Sequence, residues 1–133
     1  MSAANVEIIR RLFDAIRSQD ATAALALVDP AIEVEHRGEV PELAGRDFHG
    51  HEGLAEVIGT VVAEFADFEI ELEEIVDAGD EIVVIAHQKG IGRASGAAVE
   101  KRLPQVWTVR DGKAVRWRIY RERAEALAAA GLD

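Results

Sequence analysis

The stretch that decides the fold lies near the end of the chain: Gln105-Val-Trp-Thr-Val-Arg-Asp-Gly-Lys-Ala-Val-Arg-Trp-Arg-Ile-Tyr120. Two runs of alternating polarity flank Asp111 and Gly112. An Asp-Gly pair between alternating runs is a strong local signal for a β-hairpin. The stretch therefore predicts two antiparallel strands joined by a tight turn.

The length of the hairpin loop decides which side chains share a face, because a shift of one residue reverses every side chain. A two-residue loop would place Trp107 opposite Arg116. A three-residue loop over 110–112, with a left-handed glycine, places Trp107 opposite Val115 and Gln105 opposite Trp117. We predict the longer loop because it gathers the apolar side chains on one face: Leu103, Trp107, Val109, Val115, Trp117 and Ile119. The polar residue on that face is Gln105, so a pocket is expected there.

Length and composition limit the class of protein. The 133 residues predict a single domain, 1–133, with enough apolar content, 49%, to bury a core. The net charge of −10 argues against binding to nucleic acid or to an anionic membrane. Without cysteine the chain has no disulfide, thiolate nucleophile or cysteine zinc site. No signal peptide or membrane span is recognisable, so a cytoplasmic location is expected.

The first two-thirds of the chain predict three helices and a set of strands. Helices are expected from a cap at Asn5, from Asp20 to Val28, and from about His51 to Phe65. Strands are expected at 31–36, at 68–73 with a bulge near Glu74, and at 82–86. A glycine-rich hairpin precedes the closing pair of strands, and a short helix over 122–130 follows it. This order predicts an α+β fold in which helices pack on one face of a curved antiparallel sheet.

Several strings in this order resemble a known family: Asp20-Ala-Thr-Ala-Ala-Leu, Phe48-His-Gly-His-Glu-Gly-Leu54, and Val106 to Trp117 running on to Tyr120 and Arg121. The chain resembles the SnoaL-like branch of the nuclear transport factor 2-like superfamily, with ketosteroid isomerase, limonene epoxide hydrolase and polyketide cyclases among its members. The resemblance implies a cone-shaped curved sheet that encloses a pocket with the three helices. It also implies frequent dimers through the outer sheet face.

His36 is the first candidate catalytic residue. Ile32, Val34 and His36 share one face of their strand, so His36 points inward if its neighbours do. The resemblance matches His36 to the aspartate base of the isomerases. Imidazole titrates near neutral pH and suits a general base. The alternative is a buried histidine bonded to a carbonyl, without a role in chemistry.

Gln105 is the second candidate, and it matches the protonated aspartic acid in the isomerases' oxyanion hole. Gln88 is expected on the same face, so both amides can contact a ligand. The alternative is that they bond each other or water. The isomerases' pocket tyrosine matches Phe13 here, and the acids of the epoxide hydrolases have no match at Gln105 or Trp107.

Other candidate ligand contacts are aromatic or basic. Four aromatic side chains are expected either to line the bottom of an apolar pocket or to pack in the ordinary hydrophobic core: Phe13, Phe65, Trp107 and Trp117. Arg121 can hold a ligand carboxylate. Alternatively, it pairs with Glu125 one turn on.

A metal site is the remaining alternative. His49 and His51 could join His36 around a metal, but His51 also suits the polar start of the third helix, so no metal is predicted. The glycines at 90, 92 and 96 do not form a phosphate loop, because no Lys-Ser or Lys-Thr follows them.

The outer face of the sheet predicts a partner. An apolar centre with charges of both signs around it is typical of an isologous dimer interface. A homodimer is therefore expected through Val83, Ile85, Val106, Arg116, Arg118 and Tyr120. The alternative is a monomer with this face partly solvated.

Three functions are compatible with these residues. The first is an isomerase, cyclase or hydratase that needs no cofactor and uses His36 as a base on an apolar carbonyl compound. The second is a protein that binds a small apolar or carboxylate-bearing molecule without reaction, with Arg121 as anchor. The third is a dimeric interaction domain whose pocket is closed core.

Overall fold

The computed structural model describes residues 3–38 and 43–132 of the chain. Its helices lie at both ends and before the long strands. The elements follow in the order α1 (Ala3–Arg17), α2 (Ala21–Ala26), β1 (Val28–His36), β2 (Asp47–His49), α3 (Gly50–Ala63), β3 (Phe65–Ala78), β4 (Glu81–Gly92), β5 (Ala98–Arg110), β6 (Lys113–Ile119) and α4 (Arg123–Ala129).

The strands form one curved sheet in the order β2-β1-β6-β5-β4-β3. Neighbouring strands run antiparallel except β1 and β6, which are parallel. This pair corrects the prediction of a wholly antiparallel sheet. Strands joined by a tight hairpin must be antiparallel. β1 and β6 are separated in the chain by β2 to β5, so no tight turn fixes their relative direction. The α+β prediction is confirmed.

Helices α1, α2 and α3 pack on the concave face of the sheet. The core between them is formed by the apolar stripe of α1, by α3, and by the inward side chains of β1, β4, β5 and β6. Asn5 does not cap α1, which begins at Ala3; its side-chain N–H donates to the carbonyl of Gly79 over 3.2 Å. Asp20 caps α2 by accepting from the backbone of Ala23. The second and third helices end earlier than predicted.

The stretch 37–50, between the first predicted strand and the third predicted helix, is not all loop. Residues 39–42 of that range lie outside the described residues. Residues 47–49 form the short strand β2, which pairs with β1. The slip in β3 is confirmed, since its register shifts between Leu72 and Glu74.

The closing hairpin turns at Asp111 and Gly112, whose φ angles of 52° and 76° are both left-handed. The loop therefore has two residues, and Arg110 pairs with Lys113. The register then shifts at Val115, because Val109 pairs with Ala114 while Thr108 pairs with Arg116. A bulge of one residue restores the apolar alternation after the short turn. Both predicted cross-strand pairs are wrong as a result.

The bulge changes which side chains meet on the inner face. Trp107 lies opposite Trp117, and Gln105 lies opposite Ile119. Ala114 enters the core in place of Val115, which is only half-buried.

Helix α4 packs on the outer face of the sheet. Glu122 and Glu125 form a capping box at its start, and Gly131 follows its end with a φ of 80°. Its buried residue Ala126 lies in a second cluster with Val83 and Val106, and Tyr120 packs against that cluster. Much of the apolar surface assigned to a dimer is thus already buried within one copy. The homodimer stays a prediction.

Charged residues on the outer face are paired within the chain. Arg118 is buried and donates from Nη2 to both carboxylate oxygens of Glu81 over 2.8 Å. Arg116 binds Glu35 over 2.8 Å. None of the helices in the described part of the chain is long and apolar enough to cross a bilayer.

Candidate functional site

A small cavity lies between α1, α3 and the concave face of the sheet. Its volume is about 40 Å³, which is room for roughly three water molecules. Most of its lining is apolar, and the polar lining residues are His36, Gln88 and Gln105. The predicted contacts Phe13, Trp107 and Trp117 also line it. Six of the eight site residues predicted from the sequence thus line this cavity.

His36 lies at the end of β1 with 1% of its surface exposed. The backbone N–H of Gly38 donates to its Nδ1 over 3.2 Å. A neutral imidazole that accepts at one nitrogen carries its hydrogen on the other. The bond therefore assigns the hydrogen to Nε2, which has no hydrogen-bond partner among residues 3–38 and 43–132. Burial, followed by the nearby charge of Arg37, lowers the pKa of His36 from its ordinary value of 6.5.

Gly38 allows this contact. A Cβ at position 38 would lie 2.9 Å from Cε1 of His36, closer than side chains approach each other. The glycine thus lets the backbone come near enough for its N–H to reach the ring. This role was not predicted from the sequence, although the His-x-Gly spacing at the end of an inward-facing strand was visible.

Gln105 is held in one orientation by two tryptophans. Its Oε1 accepts from Nε1 of Trp107 over 2.7 Å and from Nε1 of Trp117 over 2.8 Å. The two indole rings stack with their centroids 4.7 Å apart. Because an indole N–H only donates, the oxygen and nitrogen of the amide cannot be exchanged. The Gln105 NH₂ group makes only a long bond, 3.4 Å, to the carbonyl of Leu103, and remains able to donate.

Gln88 differs from Gln105 because its amide has no hydrogen-bond partner among residues 3–38 and 43–132. It is 4% exposed and lines the same cavity. Within the described residues its side-chain amide makes no hydrogen bond, so the alternative in which the two glutamines bond each other does not occur. Buried amides without partners are uncommon, and they leave polar groups to be satisfied by water or a ligand.

The chain that encloses this cavity matches a known family. A family model for the SnoaL-like domain matches residues 9–117. The chain belongs to the SnoaL-like family. The resemblance drawn from the sequence motifs is thereby confirmed.

Solved structures similar to this SnoaL-like chain share its fold along nearly the whole length. An NTF2-like protein from Burkholderia xenovorans LB400 is 30% identical, with a TM-score of 0.71 and with 96% of this chain and 95% of that chain covered. TerC, crystallised with polyporic acid, is 23% identical, with a TM-score of 0.77 over 97% and 99% of the two chains. An NTF2-like protein of unknown function from Burkholderia pseudomallei K96243 is 24% identical, with a TM-score of 0.77 over 95% and 96%. No curated protein matches the sequence.

Phe65 is the first predicted contact that lies outside the SnoaL-like cavity. Phe65 was expected on the apolar stripe of the third helix, but α3 ends at Ala63 and β3 begins at Phe65. Its ring therefore does not line the cavity. It packs against Phe68, with ring centroids 5.5 Å apart, and lines a second, outer groove. Phe13, by contrast, lines the cavity, and its ring meets Trp107 edge-on with the centroids 6.0 Å apart.

Arg121 is the second misplaced contact. The alternation that predicted an inward side chain stops when β6 ends at Ile119 and the chain turns toward α4. Arg121 is exposed and does not line the cavity, while its backbone N–H donates to Glu125 over 3.2 Å.

The three histidines of the alternative metal site are separated. His49 is exposed on β2 opposite Glu33, whereas His36 faces the core. His51 donates from Nε2 to the carbonyl of Val28 over 2.9 Å. Residues 3–38 and 43–132 contain no group of three or more His, Cys, Asp or Glu side chains placed to hold a metal.

The polar groups of the cavity are mainly hydrogen-bond donors. His36 offers Nε2–H and Gln105 offers its NH₂ group. Gln88 offers both the NH₂ group and the oxygen of its amide. No carboxylate lines the cavity within the described part of the chain. Donors that converge in an apolar, water-poor space suit an acceptor oxygen such as a carbonyl or an enolate.

Proposed function

We propose that this SnoaL-like protein binds a small apolar molecule with a carbonyl-type oxygen, and that His36 and Gln105 donate hydrogen bonds to that oxygen. The observation that carries the proposal is the pair of fixed donors. Gly38 sets the tautomer of His36, and the two tryptophans set the amide of Gln105. Donors held by their own partners need no reorganisation when charge develops on the ligand oxygen. The small-molecule complex of the similar protein TerC supports a ligand-binding role.

The same geometry favours His36 as a donor over His36 as a general base. A base would need the lone pair at Nε2, which moves the hydrogen to Nδ1. That hydrogen would then face the N–H of Gly38, so a buried hydrogen bond would be replaced by two opposed donors. Leaving a buried donor unsatisfied costs about 1–3 kcal/mol. The geometry therefore supports binding and polarisation of a carbonyl. Apart from His36, the described residues that line the cavity include no base to take up the proton of an isomerase, cyclase or hydratase reaction.

A closed interaction domain remains the second candidate, because the cavity of about 40 Å³ is smaller than usual ligand pockets of about 300–1,000 Å³. A ligand larger than a few heavy atoms must displace α3 or α1 from the sheet, or extend outward from the cavity.

Matched ligands test the proposal. The two tryptophans of the chain give two indole N–H resonances, and both N–H groups bond Gln105 at the cavity wall. Titration with 2-acetylnaphthalene should shift both signals, while 2-ethylnaphthalene, similar in shape but without the oxygen, should bind at least about tenfold more weakly. His36→Phe should reduce this preference, because Gln105 remains as a donor. Equal binding of the two ligands contradicts the donor role, and binding of neither supports the closed core.

A further inference from the structure

The concave face continues outward from the cavity along β4 and β5. Gln88, in the cavity, is the direct cross-strand partner of Lys101. Lys101 follows Gln105 and Leu103 on the same face of β5, since alternate residues of a strand point the same way. It is half-buried and lines an outer groove of about 440 Å³.

This outer groove combines apolar walls with two cations. Phe65, Gly92 and Val99 form apolar parts of the wall, and Arg93 and Lys101 bring positive charge. Gly90 is the cross-strand partner of Val99 in the groove wall. A Cβ at position 90 would meet the Ala66 carbonyl oxygen at 3.0 Å, so the glycine permits close packing of β3 against β4.

The two cations of the groove are unusual in so acidic a chain. The net charge is −10, and many acids of β3 lie on the opposite face, where Glu69 pairs with Lys89 and Glu73 with Arg102. Neither Lys101 nor Arg93 has an ion-pair partner among the described residues. Glu64 also lines the groove. Its backbone carbonyl accepts from the backbone N–H of Arg93 over 3.0 Å, while its carboxylate forms no ion pair with either cation within the described part of the chain.

We propose that Lys101 binds a carboxylate on the ligand, whose carbonyl end lies in the inner cavity and whose apolar body lies in the outer groove. This inference rests on the proposed function and narrows its ligand class to elongated oxo acids. Lys101 precedes Gln105 by four positions along β5, which corresponds to roughly 13 Å between their Cα atoms. The stem of a lysine packs along apolar surface while its ammonium reaches a polar group. Lys101 thereby takes the role of anchor that the sequence assigns to Arg121.

Two rigid ligands, a keto acid and its neutral counterpart, allow binding at the two ends of the site to be measured independently. The acid is 6-acetyl-2-naphthoate, which has a ketone and a carboxylate at opposite ends of one ring system; its neutral counterpart is 2-acetylnaphthalene. Affinities are measured from the indole N–H shifts for the wild type and for Lys101→Gln, Lys101→Arg and Lys113→Gln. Lys113 is an exposed lysine at the hairpin turn, so its substitution changes the net charge equally without touching the groove.

We expect the acid to bind wild type more tightly than the neutral ketone. Lys101→Gln should lower the affinity for the acid about tenfold and leave the affinity for the neutral ketone unchanged, because only the charged hydrogen bond is lost. Lys101→Arg should retain most of the affinity, and Lys113→Gln should retain all of it. If Lys101→Gln leaves the acid's affinity unchanged, or Lys113→Gln lowers it equally, the carboxylate site is wrong while ketone binding still supports the proposed function. If neither ligand binds, both proposals fall.

Discussion

The backbone N–H of Gly38 points at Nδ1 of His36 over 3.2 Å, and this contact decides what the histidine can offer a ligand. It leaves Nε2 as a donor at the wall of an apolar cavity. The residue two positions along the chain thus controls the chemistry of the residue that lines the site.

The buried His36 should make folding sensitive to mild acid. Its pKa in the folded protein lies below the ordinary 6.5, mainly through burial, so the unfolded chain binds a proton first. The stability that neutral His36 provides is present above pH 6.5 and decreases as the pH falls toward its folded pKa. Urea unfolding between about pH 5 and 8 should show this decrease in wild type. His36→Phe should lack it, and an identical pH profile in the variant would contradict the assignment.

His87 should respond to pH in the opposite direction. Its ring lies between Glu100, at 2.9 Å from Nε2, and Glu71, at 3.4 Å from Nδ1, and the hydrogen bonds to these carboxylates raise its pKa above 6.5. The stability gained from this arrangement is complete below pH 6.5 and disappears as the pH rises through the higher folded pKa. His87→Gln should therefore lose stability relative to wild type in acid and match it in mild alkali. A constant difference across that range would show that the carboxylates do not act on the imidazole.

The two buried glutamines should respond differently to the same substitution. Gln105→Leu removes the acceptor of two indole N–H groups, so the free energy of unfolding should fall by about 3 kcal/mol. Gln88→Leu removes an amide without partners in the described part of the chain, so it should change stability by no more than about 0.5 kcal/mol or increase it. Chemical denaturation measures both values. Equal losses would mean that Gln88 has a structural partner.

Two glycines provide a matched test of the groove. Gly90→Ala brings a Cβ within 3.0 Å of the Ala66 backbone, so it should destabilise the protein by about 1–3 kcal/mol. Gly59 lies inside α3, where an added methyl group would meet nothing within 4 Å, so Gly59→Ala should stabilise the protein by about 0.5–1 kcal/mol. Thermal unfolding should shift in opposite directions for the two variants. A neutral Gly90→Ala would show that β3 and β4 do not pack closely there.

Periodic patterns predicted most of the fold, because they report which face of an element is buried. The inward side chains of His36, Gln88 and both tryptophans follow from strand alternation, and the α1 stripe follows from helical spacing. The family motifs then added the curved sheet and the pocket.

Local irregularities were not predictable from these patterns. The bulge at Val115 changes the register of the hairpin by adding a residue that looks like any other apolar strand residue. Phe65 and Arg121 were misplaced because each lies within two residues of a boundary between elements, where alternation starts or stops. The Gly38 contact depends on a backbone N–H, which carries no side-chain signal at all.

A long-range ¹H–¹⁵N correlation spectrum of the ligand-free protein shows which ring nitrogen of His36 carries the hydrogen, and so whether His36 presents Nε2–H to the cavity. At mildly alkaline pH, where His36 is neutral, we predict a protonated Nε2 and an unprotonated Nδ1 for this residue. A spectrum with the proton on Nδ1 would contradict the account and restore His36 as a candidate general base.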